Sequence, residues 1–137
     1  MRTNQKDPAQ VTKSAKYMET RTPAEKASLN EKVVFVTGAG SGIGRAGARA
    51  MAQCGAYVVV SDRDGDLAEQ VLEEIEAEGQ KGSFLALDVG DDEALETAIL
   101  ETAKTHGRLD VLHSHAGIQI EGALEQVDPT EMDASWE

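Results

Sequence analysis

Cysteine is almost missing from this chain. Cys54 is the only one among 137 residues, so no internal disulfide can form, and a reducing, cytoplasmic setting is expected. Long apolar runs are missing too. None approaches the roughly 20 residues that a membrane span needs, and residues 1–19 lack the apolar stretch of a secretory signal. Basic residues are scarce, 13 Lys and Arg against 25 Asp and Glu, for a net charge of −12. That balance argues against nucleic acid, whose phosphates require clustered Lys and Arg, and against an anionic membrane surface.

What is present looks globular, with 40% hydrophobic residues, 28% charged residues and 13 glycines. The length favours one domain. Charge is distributed unevenly. Residues 1–26 hold six bases against three acids, which leaves −15 for the rest of the chain. Most of those acids fall in helical patterns beyond position 60, where they read as solvated helix faces. Residues 1–30 are polar and without sustained period, and are expected to be a flexible extension. Residues 31–137 are expected to form one partial domain.

From Lys32 onward two patterns alternate. Residues 33–37, 57–61, 84–88 and 109–113 are short, mostly apolar runs that suit parallel strands covered on both faces. Between them lie helical stripes: Ile43, Ala46, Gly47, Ala50, Met51 and Cys54; then Leu67, Ala68, Val71, Leu72 and Ile75; then Leu95, Ala98, Ile99 and Thr102. Asp64 or Asp66, and Asp91 or Asp92, are positioned to cap the second and third helices, and Gly55, Gly79 and Gly107 to end the three. Parallel strands need right-handed crossovers. The expected fold is therefore α/β, a Rossmann-type doubly wound parallel sheet of order 3-2-1-4, truncated after about four strands. Residues 117–137 read as a loop, with a helix starting near Asp133.

The strongest chemical signal is Thr37-Gly38-Ala39-Gly40-Ser41-Gly42-Ile43-Gly44, which leaves a strand and opens a helix. Gly38 suits the turn out of the strand. Gly42 lets the main chain approach a pyrophosphate, and Gly44 lets the helix pack closely on the sheet. Free N–H groups at the helix start then face the phosphates, aided by the helix dipole. The string Gly42-Ile43-Gly44-Arg45-Ala46-Gly47 also matches G-x-G-x-x-G, but it starts inside the expected helix, so the earlier register is preferred. Asp62 closes the second strand 18 residues past Gly44, near the spacing at which an acid takes the adenosine ribose hydroxyls. Its charge would repel a 2′-phosphate, whereas Arg63 next to it could hold one. NAD is accordingly expected over NADP. Asp88 and Val89 close the third strand at the same sheet edge. Asp88 serves equally as a ligand contact or as the turn that opens the next helix. His113 and His115 share one strand face, but no third metal ligand is suggested by spacing, so no metal is expected.

Together these residues resemble the short-chain dehydrogenase/reductase family, from about Lys32 to Glu137. The resemblance rests on Thr37-Gly38-x-x-x-Gly42-x-Gly44, Asp62, Asp88-Val89, and Leu109-Asp110-Val111-Leu112 leading to Ala116-Gly117-Ile118. It implies an oxidoreductase that moves hydride between a nicotinamide cofactor and a carbonyl or alcohol substrate. Ser41 and Ile43 would hold the pyrophosphate and adjacent ribose, Asp88 and the Val89 backbone the adenine, and Ala116 and Gly117 the middle of the cofactor. The family shows Asn-Asn before Ala-Gly, where this chain has Ser114 and His115; His115 donates and accepts with a different reach. The family's catalytic Ser and Tyr-x-x-x-Lys have no counterpart. The only tyrosines, Tyr17 and Tyr57, stand four residues ahead of Arg21 and Ser61. The resemblance thus implies a chain that binds cofactor and lacks turnover alone, with the fourth strand exposed at the sheet edge and open to a protein partner. The alternative is a non-enzymatic dinucleotide-sensing or partner-binding module.

Overall fold

In the computed structural model, which describes residues 22–118 and 126–136, the centre of the fold is set by valines. Strand β1 (Val33–Thr37) is buried at every residue, and β2 (Tyr57–Asp62) at its four central ones. β-branched side chains on both faces favour an extended strand covered from both sides. Strands β3 (Lys81–Ala86) and β4 (Val111–Ser114) flank them. All pairings are parallel and the order is β3-β2-β1-β4, as expected from the alternating pattern.

A short helix, α1 (Pro23–Lys26), precedes the sheet, and α2 (Gly42–Gln53), α3 (Gly65–Ala77), α4 (Asp92–His106) and α5 (Pro129–Trp136) follow in turn. Helices α2 and α3 cover one face. Val34, Val36, Val58 and Val60 meet Ala48, Ala52, Ala68, Val71 and Ile75 there. On the other face Phe35, Val59 and Leu87 pack against Ala94, Leu95 and Ala98 of α4. This second face is less complete. Leu112, which pairs in register with buried Phe35, is 48% exposed. No helix among the described residues is long and apolar enough to cross a membrane.

Several boundaries differ from the sequence expectation. The fold reaches back to Leu29, which packs on the first core and donates its N–H to the Cys54 carbonyl at 2.7 Å. Residues 1–21 of the expected extension lie outside the described residues. Strand β3 starts three residues earlier than expected and β4 two residues later, because β1 and β2 dictate where their neighbours pair. The α2 stripe is rotated by one position. Gly44, Ala48 and Ala52 are buried, whereas Ile43 is 71% exposed. Small residues at i, i+4 and i+8 bring that helix close to the sheet, Ile43 turns outward, and Met51 packs half-buried against the first core. Helix α5 begins at Pro129 rather than near Asp133. Asp128 accepts the Thr130 N–H at 2.8 Å, and proline is pre-set for the first helical position. Asp64 and Asp91 are the caps of α3 and α4, and Gly107 closes α4 in a left-handed conformation.

The amino ends of β1 and β4 are joined by one carboxylate. Asp110 accepts the Val33 N–H at 2.8 Å and a two-pronged pairing from Arg108 at 2.7 and 2.8 Å. The Arg108 guanidinium and the Val33 amide lower its pKa to about 2, from the ordinary 3.8. A lowered carboxylate pKa stabilises the fold above the unfolded value and is lost as pH falls through the folded one. Acid titration of unfolding is expected to show wild type losing its advantage over Asp110→Asn between about pH 4 and pH 2. Parallel curves across that window would contradict the link.

Candidate functional site

The carboxyl ends of the four strands meet at the loop between β1 and α2. Gly38 leaves β1 with φ +63°, and a Cβ there would stand 2.7 Å from the Ala116 Cα. Gly44 sits in the first turn of α2. A Cβ on it would lie 2.1 Å from the Gly38 carbonyl oxygen, so the helix closes on the loop only because position 44 is glycine. Gly42 has φ +54°, and nothing lies within 4 Å of where its Cβ would be. Gly38 and Gly44 are thus required by neighbouring backbone, whereas Gly42 faces open space.

The helix start at this opening lacks a carboxylate. Ser41 is the N-cap residue, its hydroxyl makes no capping bond, and no acid stands in the first turn. The first intrahelical bond runs from the Arg45 N–H to the Ser41 carbonyl at 3.1 Å. The amides ahead of it have no intrahelical acceptor, and the helix dipole adds positive character there. Arg45 does not contribute its charge to the opening. Its guanidinium is engaged by Glu74 of α3 at 2.7 and 3.1 Å, and this pairing lowers the Glu74 pKa.

Asp62 ends β2 beside the loop. One carboxylate oxygen accepts the Gly40 N–H and the other the Asp64 N–H, each at 2.9 Å. Arg63 is exposed next to it. Asp88 lies two residues beyond β3, exposed, and accepts the Gly90 N–H at 2.9 Å. The turn role is therefore realised in its side chain. Val89 follows, half-buried. Beyond β4, the His115 and Ala116 N–H groups both donate to the Thr37 hydroxyl, at 3.0 and 3.1 Å. Gly117 is exposed at the mouth. The structure brings Gly38, Ser41, Gly42, Ile43, Gly44, Asp62, His115 and Ala116 to one edge. The segment after β3, with Asp88 and Val89, is tied to it through the Leu87 N–H and Asp62 carbonyl at 2.9 Å.

Sequence reasoning misses two participants. Gly40 reads only as part of the glycine string, yet its amide is the partner of Asp62. Thr37 reads as the end of a strand, yet its hydroxyl fixes the exit of β4. Both contacts join residues far apart in the chain, and no local pattern announces them. His113 and His115 lie with ring centroids 5.6 Å apart. They are placed against α2, 3.2 and 3.1 Å from where Cβ atoms of Gly47 and Gly44 would be. Gly47, which completes the later glycine register, is therefore a packing position. Among the described residues no group of three or more His, Cys, Asp or Glu is placed to hold a metal.

Known proteins share this arrangement. The short chain dehydrogenase family pattern matches residues 32–137. Versicolorin reductase 1 of Aspergillus parasiticus is 44% identical over 106 residues, which are 77% of this chain and 40% of that protein. A 3beta-hydroxysteroid dehydrogenase of Mediterraneibacter gnavus is 39% identical over 108 residues, 79% of this chain and 38% of that one. A crystal structure of a short chain dehydrogenase from Mycobacterium avium superposes with TM-score 0.72 at 37% identity, covering 77% of this chain and 40% of the other. A metagenomic short-chain oxidoreductase solved in complex with NADP gives TM-score 0.73 at 37% identity, covering 78% and 49%. The chain thus spans about 40% of the length of these curated relatives. The glycine-bounded loop, the parallel 3-2-1-4 sheet and the family match over residues 32–137 agree: this chain belongs to the short-chain dehydrogenase/reductase family.

Proposed function

We propose that this chain binds the adenosine diphosphate part of a nicotinamide dinucleotide at the β1–α2 opening, with NAD preferred to NADP. In this reading it is the cofactor-binding part of an oxidoreductase acting on a carbonyl or alcohol. The observation that carries the proposal is the contrast among the loop glycines. Gly38 and Gly44 are closed in by backbone at 2.7 and 2.1 Å, while the position over Gly42 is open to 4 Å. Such a cradle admits main-chain contact with a diphosphate and places no side chain in its approach.

The residues present fit this ligand. The amides of Gly42, Ile43 and Gly44 would face the phosphates, with the Ser41 hydroxyl beside them. Asp62 would stand at the adenosine ribose, Asp88 and Val89 at the adenine, and His115, Ala116 and Gly117 along the middle of the molecule. When bound, the dinucleotide supplies the nicotinamide ring that takes or gives hydride. The chain's own residues hold and orient it. Neither Tyr17 nor Tyr57 has a lysine four residues on, so proton transfer to substrate is assigned to segments other than these.

The cofactor preference follows from charge. A fixed carboxylate at the ribose disfavours a 2′-phosphate there, and Arg63, exposed and solvated next to it, offsets that only in part. Calorimetric titration with ADP, NAD and NADP tests the reading. Wild type is expected to bind ADP and NAD. Asp62→Ala is expected to weaken NAD by about tenfold and to narrow the gap to NADP, since a charge-assisted hydrogen bond contributes about 1.5–3 kcal/mol. A folded wild-type protein with no affinity for any ADP-containing ligand would overturn the proposal.

A further inference from the structure

Asp62 is more firmly engaged by its own chain than a ribose ligand needs to be. Its Oδ2 accepts the Gly40 N–H and its Oδ1 the Asp64 N–H, both at 2.9 Å. One residue earlier, the Ala39 N–H bonds the Ser61 carbonyl at 2.9 Å. Two consecutive loop amides are therefore strapped to two consecutive residues of β2, the first by main chain and the second by the carboxylate.

Gly40 shows how closely that carboxylate is seated. A Cβ at position 40 would meet the Asp62 Cγ and Oδ2 at 2.9 Å, and the Leu67 Cβ of α3 at 2.8 Å. Gly40 has no positive φ to require glycine. The space that a Cβ would take is filled by the carboxylate on one side and the first turn of α3 on the other. Gly40 and Asp62 thus form a matched pair, in which the missing side chain admits the acid and the acid fixes the amide.

We infer that Asp62 is a positioning residue for the phosphate loop, holding Gly40 so that the amides of the following turn keep their direction, in addition to any contact with the ribose. For its functional consequence this rests on the dinucleotide reading above. Its structural content stands in the ligand-free protein. Removing the carboxylate frees the Gly40 amide and loosens the loop segment between Ala39 and Gly42 from β2. Affinity for the diphosphate then falls even when the ligand offers the acid nothing to bind.

Two ligands separate the roles: ADP, and its analogue lacking the 2′- and 3′-hydroxyls. Asp62→Ala is expected to lose about tenfold in affinity for the dideoxy analogue, which reads the strap alone, and at least as much for ADP, which keeps its ribose hydroxyls. Gly40→Ala, which keeps the acid but displaces it, is expected to lose a similar factor. The double variant is expected to lose less than the two single losses combined, because the added methyl then meets no carboxylate and only its contact with the Leu67 Cβ remains. Loss for ADP with no change for the dideoxy analogue would reduce Asp62 to a ribose contact and overturn the inference. Amide exchange in the free protein tests the same strap without a ligand. Gly40 is expected to exchange about tenfold faster in Asp62→Ala, with Val34 and Val58 unchanged as proof of folding. An unchanged Gly40 rate overturns the inference whether or not any nucleotide binds. Absence of ADP binding by folded wild type, with Gly40 still freed in the variant, would overturn the dinucleotide reading alone.

Discussion

Alanine at position 44 is expected to destabilise the fold by about 3 kcal/mol and to abolish measurable ADP binding, against the usual direction of a glycine-to-alanine change in a helix. Helix propensity alone would favour alanine by about 1 kcal/mol. Sterics decide otherwise. The new Cβ would sit 2.1 Å from the Gly38 carbonyl oxygen, a backbone atom that cannot rotate away. Gly38 cannot retreat either, because its own missing Cβ is matched to the Ala116 Cα at 2.7 Å. Overpacking of a tight site costs about 1–3 kcal/mol, and a chain of backbone contacts with no flexible side chain belongs at the upper end. The same substitution at Gly42 meets nothing within 4 Å but must adopt φ +54°, which costs about 1–2 kcal/mol for an L-residue. Thermal unfolding with and without ADP separates the two. Gly44→Ala is expected to lower the melting temperature and remove the ligand-induced rise. Gly42→Ala is expected to stay folded and lose most of that rise, because its methyl occupies the ligand's approach. A Gly44→Ala protein with wild-type melting would show that α2 need not close on the loop.

The ease of reading each element depends on whether its cause is local. Strands β1 and β2 are legible because Val33, Val34, Val36, Val58, Val59 and Val60 are both β-branched and buried. The start of β3 is not, because Lys81, Gly82 and Ser83 carry no apolar signal. They are extended because Tyr57, Val58 and Val59 pair with them. Gly82 lies so near β2 that a Cβ would be 2.4 Å from the Val58 carbonyl, a closeness that only the paired strands define. Leu109 reads as strand by hydrophobicity but belongs to the second core ahead of β4. The start of α5 is legible in principle, since Asp128-Pro129 is a capping pair followed by a helix opener, but the scattered apolar residues before it obscure the signal. Within the site, the glycine spacing identifies the loop, because backbone angles and close approach leave their mark on residue type. What each glycine touches is not legible: Gly40 with Asp62, Gly44 with Gly38, and Gly47 with His113 are relations between positions that only the folded sheet brings together.

Thr37→Val is expected to lower stability by about 2–4 kcal/mol, although valine matches threonine in shape and suits a strand at least as well. The hydroxyl of Thr37 accepts two amide hydrogens, from His115 at 3.0 Å and Ala116 at 3.1 Å, and Thr37 itself is 2% exposed. Valine removes the acceptor and keeps the volume, so both donors are left facing a methyl group. Each unsatisfied buried group costs about 1–3 kcal/mol, and the half-buried state of His115 and Ala116 lets water recover part of that. Serine retains the oxygen and is expected to restore most of the loss, giving up only a methyl group at about 0.8 kcal/mol. For a domain of this size the valine variant should melt roughly 10 °C lower. The same bond also reaches the ligand opening. Ala116 is the residue against which Gly38 closes, and Gly38 in turn holds the start of α2, so releasing Ala116 loosens the cradle from behind. ADP affinity is therefore expected to fall in Thr37→Val and to return in Thr37→Ser, in step with the melting temperature. A stable Thr37→Val protein with full ADP affinity would show that the exit of β4 is fixed by packing alone, and that the loop needs no strap from the strand beside it.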